Sequence, residues 1–118
     1  MAGVAGVSPG LGVASAFQNG QQFFGAVRSD GSTVVWDPNL STWNDISGLA
    51  GYPAGGATVV SLAVEGTNLY VTVRGTDGAS NDITRQTTCV VQPIPGTGGN
   101  PAWPGNCTAY TDFTPPQP

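Results

Sequence analysis

Val13-Ala14-Ser15-Ala16-Phe17-Gln18-Asn19-Gly20-Gln21-Gln22-Phe23-Phe24-Gly25-Ala26-Val27-Arg28 lines up without a gap on Val59-Val60-Ser61-Leu62-Ala63-Val64-Glu65-Gly66-Thr67-Asn68-Leu69-Tyr70-Val71-Thr72-Val73-Arg74. The shift is 46 residues, Val13 onto Val59, and Val, Ser, Gly, Val and Arg recur at matching places. One inserted residue then brings Ser29-Asp30-Gly31 onto Thr76-Asp77-Gly78. A period in this range marks repeat architectures, where one unit cannot bury its apolar face alone. The chain therefore reads as two copies of a β-unit that needs a neighbour.

Each copy divides into short strands. In the first, Val13–Phe17 and Gln22–Arg28 flank Asn19-Gly20, a strong hairpin dipeptide. On the second strand Phe23, Gly25 and Val27 share one face, and Phe24 and Ala26 the other. Asp30-Gly31 turns the chain into Ser32–Trp36, and Asp37-Pro38-Asn39 turns it into Thr42–Ile46. The second copy reads as Val59–Val64, Asn68–Arg74 and Asp82–Val91, with turns at Glu65-Gly66 and Asp77-Gly78. Its fourth strand is Thr108–Phe113, which matches Ser41–Ile46 after a Cys-bracketed insertion. No segment holds a 3.6-residue period with caps, so helix is not expected. One all-β domain over 1–118 follows: repeat one at 13–47, a linker at 48–58, repeat two at 59–114 with the loop 89–107, and a Pro-rich tail at 115–118.

Composition narrows the function. Among 118 residues, 18 Gly and 10 Pro suit many short strands joined by tight turns. Three cations against seven acidic residues, with no His, cannot neutralise a phosphate backbone, so nucleic acid is not an expected partner. No polybasic patch and no apolar run of spanning length point to membrane insertion. Residues 1–17 lack the basic start of a signal peptide and read as leading into the first strand.

Cys89 and Cys107 bracket a loop rich in Pro, including Pro93, Pro95, Pro101 and Pro104. A disulfide there is expected, and with it an oxidising, extracellular setting. Asn39-Leu40-Ser41 and Asn106-Cys107-Thr108 are glycosylation sequons that fit the same compartment.

The order strand, Asn/Glu-Gly turn, strand ending Val-Arg, Ser/Thr-Asp-Gly turn, strand, then Trp43-Asn44-Asp45-Ile46 or Tyr110-Thr111-Asp112-Phe113 resembles tectonin-like and bacterial fucose-binding lectin β-propellers. Val73-Arg74-Gly75-Thr76-Asp77-Gly78 is similar to a stretch their blades carry. The resemblance covers most of 13–47 and 59–114. The second repeat departs from it by lacking Trp near Asp82-Ile83-Thr84 and by holding the Cys loop. The resemblance implies two four-stranded antiparallel blades. Two blades do not close a ring, since propellers have about four or more. Three arrangements answer this: completion of the ring by association of copies, membership of a longer propeller, or an open sandwich.

Catalysis has few candidates. Without His or Lys, no His-based triad or Ser-Lys pair is available, and we expect no enzyme. Asp30, Asp37 and Asp77 sit in turns where Asp bonds its own backbone. Asp77, Asn81 and Asp82 fall outside calcium-loop spacing, so no metal or cofactor is expected. Sugar binding needs aromatic faces and planar polar groups. Trp36, beside a turn, and Trp103, in the constrained loop and expected to be exposed, are the aromatic candidates. Arg28, Asn44, Asn68 and Arg74 are the polar ones, in line with the inter-blade sites that the resemblance implies. Trp43 and Tyr110 are read as core. The expected function is a lectin-like or adhesive module for cell-surface glycans, acting as a homo-oligomer. The alternative is a structural subunit of an extracellular filament or surface assembly.

Overall fold

A computed structural model of the chain describes residues 12–91 and 102–116. Expectations placed on residues 1–11, on Pro93, Pro95 and Pro101, and on the end of the tail lie outside them. The described residues form two four-stranded antiparallel sheets and contain no helix. The first comprises β1 (Val13–Gln18), β2 (Gln21–Val27), β3 (Thr33–Asp37) and β4 (Thr42–Asp45). The second comprises β5 (Ala57–Glu65), β6 (Asn68–Thr76), β7 (Asp82–Val90) and β8 (Thr111–Asp112). Each is a meander whose strands pair in chain order.

Turn chemistry fixes the registers. Asn19 (φ 48°) and Gly20 (φ 79°) are both left-handed, as a two-residue hairpin turn with matching twist demands. Gln18 then pairs with Gln21. In the second hairpin Glu65 pairs with Asn68, so the turn is Gly66-Thr67, with Gly66 (φ 60°) leading. The later turns are pinned by aspartates. Asp30 accepts from Ser32 N at 3.0 Å, Asp37 from Asn39 N at 2.8 Å, Asp45 from Ser47 N at 2.8 Å, and Asp77 from Ala79 N at 2.8 Å. Short polar side chains that mimic a backbone turn explain why these residues are Asp.

The two turns correct the gapless 46-residue alignment. Asn19-Gly20 and Gly66-Thr67 are counterparts, a shift of 47 (19 onto 66). The 47-residue shift holds on both sides of the turn, Gln18 onto Glu65 and Gln21 onto Asn68, and continues to Asp30 onto Asp77, so no residue is inserted after Arg28. Phe23 corresponds to Tyr70, and Phe24 to Val71. A one-residue slip exchanges the two faces of a strand, so the correction decides how the sheets stack.

In the first sheet Phe23, Val27 and Val35 are buried, while Phe24, Trp36 and Trp43 point the other way. Gly25 lies between Phe23 and Val27. An added Cβ there would stand 3.2 Å from Val60 Cγ2 and 3.1 Å from Leu62 Cδ2. The Phe23 side of the first sheet thus packs on the side of the second that carries Val60, Leu62, Leu69, Val71 and Val73. β1 and β5 run alongside in the same direction: Gly12 lies beside Thr58 and Val59, and Gln18 Nε2 donates to Gly66 O at 2.7 Å. By the 47-residue correspondence, Leu69, Val71 and Val73 are the counterparts of Gln22, Phe24 and Ala26. The sheets are stacked in the same sense, so the inward face of the first covers the counterpart of its own outward face.

Burial supplies the stability, with each fully buried Leu, Val, Ile or Phe contributing about 1.5–3 kcal/mol. Leu69, Val71, Val73, Phe23 and Ile46 are all completely buried. Polar ties cross between the sheets. Trp103 Nε1 donates to Asp37 Oδ2 at 2.9 Å, Tyr110 Oη to Ile46 O at 3.2 Å, and Arg85 Nη1 to Gly51 O at 2.8 Å. Cys89 and Cys107 form the expected disulfide.

The fourth strand of the second sheet differs from expectation. Only Thr111 and Asp112 pair with β7. Tyr110 is buried at 8% exposure, whereas Trp43, its expected counterpart, is 50% exposed. Trp43 belongs to the outward row opposite Trp36, and so the core role expected of it does not hold.

Candidate functional site

Among the described residues, same-sense stacking leaves two sheet faces uncovered, and they differ in chemistry. On the first sheet, Phe24, Trp36 and Trp43 stand directly opposite one another across β2, β3 and β4. The two indoles are 5.6 Å apart at an interplanar angle of 60°. Val13 (70% exposed) and Phe17 (61%) extend the row along β1. Arg28 closes one end, its Nη2 2.8 Å from Asp45 Oδ2 and its Nε donating to Ser32 Oγ at 2.7 Å. Water ordinarily meets a polar sheet face, and this one is apolar and aromatic.

On the second sheet, Asn68, Tyr70, Thr72 and Arg74 alternate along β6 on the face turned away from the first sheet. Gln86 Nε2 donates to Thr72 Oγ1 at 3.0 Å, and Arg74 Nη2 lies 3.5 Å from Asp82 Oδ2. This face is built of hydroxyls and amides, with Tyr70 as its aromatic.

The structure therefore divides the sequence candidates. Trp36 and Arg28 share one free face; Asn68 and Arg74 share the other, on the far side of the molecule. Asn44 lies on the Val35 side of the first sheet and donates to Val35 O at 3.3 Å and Thr42 O at 3.1 Å, so it does not join Trp36. Trp103 is not the exposed aromatic expected. It is half-buried against the core, and its N–H is held by the fully buried Asp37. The sequon Asn106 donates through Nδ2 to Val90 O at 2.9 Å, and Asn39 is half-buried in its turn.

Each of the three Arg is paired with a carboxylate: Arg28 with Asp45, Arg74 with Asp82, and Arg85 with Asp112. Asp30, Asp77 and Asp112 are held below the ordinary carboxylate range for local reasons. Bonds from Ser32 depress Asp30, the Asn81 and Ala79 amides depress Asp77, and the Thr114 hydroxyl depresses Asp112. Burial raises Tyr52 and, more strongly, Tyr110. The carboxylates act as acceptors for their turns and their Arg partners.

Comparison with protein-family models, curated proteins and solved structures returns no match for this chain. Two concave regions add residues that the sequence did not put forward as sugar-binding candidates. A crevice of about 290 Å³ lies between the Asp30–Ser32 turn and the linker Tyr52–Gly56. Tyr52 Oη there donates to Gly31 O at 2.7 Å and is bonded to Thr33 Oγ1. A larger open cleft, about 660 Å³, is lined by Ser80, Asn81, Asp82, Ile83, Arg85, Asp112 and Thr114. Of the first, the sequence marks only Asp30-Gly31 as a turn; of the second, it marks Asn81 and Asp82 only for their spacing, and gives no sign that they meet Arg85, or Asp112 and Thr114 about thirty positions on.

Proposed function

We propose that the chain is an extracellular, lectin-like carbohydrate-binding module. Its sheets act as successive propeller blades, and copies of the chain associate to complete the stack. The observation that carries this reading is the same-sense packing of the two sheets. Repeating that packing seats the Phe24–Trp36–Trp43 face of one copy on the Asn68–Tyr70–Arg74 face of the next. The contact buries Val13, Phe17 and Trp43, and it brings Trp36 and Arg28 beside Asn68 and Arg74. The polar and aromatic groups that a sugar needs, scattered in one chain, then line a single crevice.

Binding at such a crevice is reversible and geometric. An aromatic face takes the C–H side of a sugar ring, and planar polar groups bond paired hydroxyls. Sites of this kind are weak singly and gain through multivalency. The disulfide fits an oxidising compartment.

A second reading follows from the same contact. Head-to-tail association that does not close generates a filament. The exposure of Val13 and Phe17 favours contact between copies whether or not a sugar binds. A glycan array together with the mass in solution decides between the readings. Sugar binding by a small closed oligomer, lost in Trp36→Ala, supports the lectin. Open-ended growth with concentration and no glycan bound supports the structural subunit.

A further inference from the structure

We infer that the cleft beside Arg85 is a second, self-contained site for an uncharged, hydroxyl-rich ligand of monosaccharide size, an inference that rests on the carbohydrate-binding reading above. Its volume, about 660 Å³, lies within the range of small-molecule sites. One chain supplies all of it, so it does not need association.

The chemistry of the walls selects the ligand. Arg85 is held rigid, with Nε donating to Asp112 Oδ1 at 2.9 Å and Nη1 to Gly51 O at 2.8 Å. Its side chain is only 26% exposed. A guanidinium has five N–H groups, so three remain for a ligand. Asp112 accepts both Arg85 and the Thr114 hydroxyl (2.6 Å) on Oδ1, leaving Oδ2 as an acceptor. Asp82 meets Arg74 through Oδ2 at 3.5 Å, leaving Oδ1. Fixed N–H donors beside fixed carboxylate acceptors match adjacent hydroxyls, each of which donates once and accepts once. Ile83 adds an apolar wall for ring C–H groups.

Charge excludes the alternatives. The two carboxylates of the cleft are each met by an Arg, Asp82 by Arg74 and Asp112 by Arg85, so no guanidinium there is left uncompensated to attract a uronate, sulfate or phosphate. Among the described residues no three His, Cys, Asp or Glu side chains cluster, so the two carboxylates have no third to join them around a cation. The neutral polyol is what remains.

The test is titration of the intact chain with methyl glycosides of glucose, galactose and mannose, with glucuronic acid as the anionic comparator, followed by amide chemical shifts. At least one neutral glycoside is expected to shift Asn81–Arg85 and Asp112–Thr114, and glucuronic acid to shift nothing. Asp82→Ala and Asp112→Asn are each expected to weaken binding at least tenfold with thermal unfolding otherwise normal. Trp36→Ala is expected to leave these shifts in place. Binding that is lost in Trp36→Ala but kept in Asp82→Ala and Asp112→Asn overturns this site while the lectin reading stands. Equal binding of glucuronic acid overturns the assignment to neutral ligands. If no glycoside binds, both fall.

Discussion

Trp103 Nε1 lies 2.9 Å from Asp37 Oδ2, and this bond joins the disulfide-bracketed loop of the second sheet to the third strand of the first. Asp37 has no solvent exposure, and its other oxygen accepts Asn39 N. Removing the indole N–H would leave a buried carboxylate oxygen without its donor. Trp103→Phe is therefore expected to cost about 1–3 kcal/mol, read as a lower urea midpoint at unchanged slope. Combined with Asp37→Asn, the loss should be smaller than the sum of the two single losses, because the neutral amide no longer needs the donor. Additive losses would show that the bond is not energetically coupled.

Within the second sheet, Gly75 of β6 lies tightly against Gly56, which directly precedes β5. An added Cβ at Gly75 would collide with the Gly56 carbonyl oxygen, a backbone atom that cannot swing aside. Gly75→Ala should destabilise by about 3 kcal/mol or prevent folding, at the upper end of overpacking costs. Gly78→Ala, where nothing lies within 4 Å of the new atom, should stay within about 0.5 kcal/mol of the parent. Thermal unfolding of both variants compares a closed position with an open one.

Reduction should loosen the junction that Trp103 makes with Asp37. The disulfide closes a separation of 18 residues, which in the chain-entropy model is worth about 3 kcal/mol. The paired variant Cys89→Ala, Cys107→Ala should unfold earlier than the parent. It should also show altered near-ultraviolet dichroism, because Trp103 is held by that loop. Unchanged dichroism would separate the disulfide from the Trp103 position.

Acid and alkali should act through different residues. Asp30, Asp77 and Asp112 have folded-state affinities for protons below those of an unfolded chain. Their contribution is present above the unfolded value of about 3.9 and is lost as pH falls through the lower folded values. Tyr52 and Tyr110 are raised by burial, so their contribution is full below an unfolded value of about 10 and is lost as pH rises beyond it. A plot of melting temperature against pH should be flat between these limits. Tyr110→Phe, which also removes the bond to Ile46 O, should flatten the alkaline limb and leave the acid limb unchanged.

Much of the fold was legible in residue types. Asn19-Gly20 and the Asp-led turns marked the strand ends because each needs a particular backbone or a local acceptor. Strand alternation separated Phe23 and Val27 from Phe24 and Ala26, and the structure shows that the Phe23 face is the buried one. The relation between the repeats was harder to read, because aligning Gly20 with Gly66 set the second residue of one turn against the first of the other. That single step exchanged inward and outward faces in the second sheet. Tyr110 was read as core and is buried, but its bond to Ile46 and the bond of Trp103 to Asp37 were hidden, because those partners lie more than sixty residues away. Only the closed fold brings those atoms together.

The central claim is that the aromatic face of one copy seats on the Tyr70 face of another. Sedimentation equilibrium of the intact chain over a wide concentration range tests it most directly, beside Trp43→Arg, which charges the exposed aromatic row without touching the core. The account predicts that the parent has the mass of several chains and that Trp43→Arg has the mass of one, with the same melting temperature. A parent that sediments as a single chain at every concentration would contradict it.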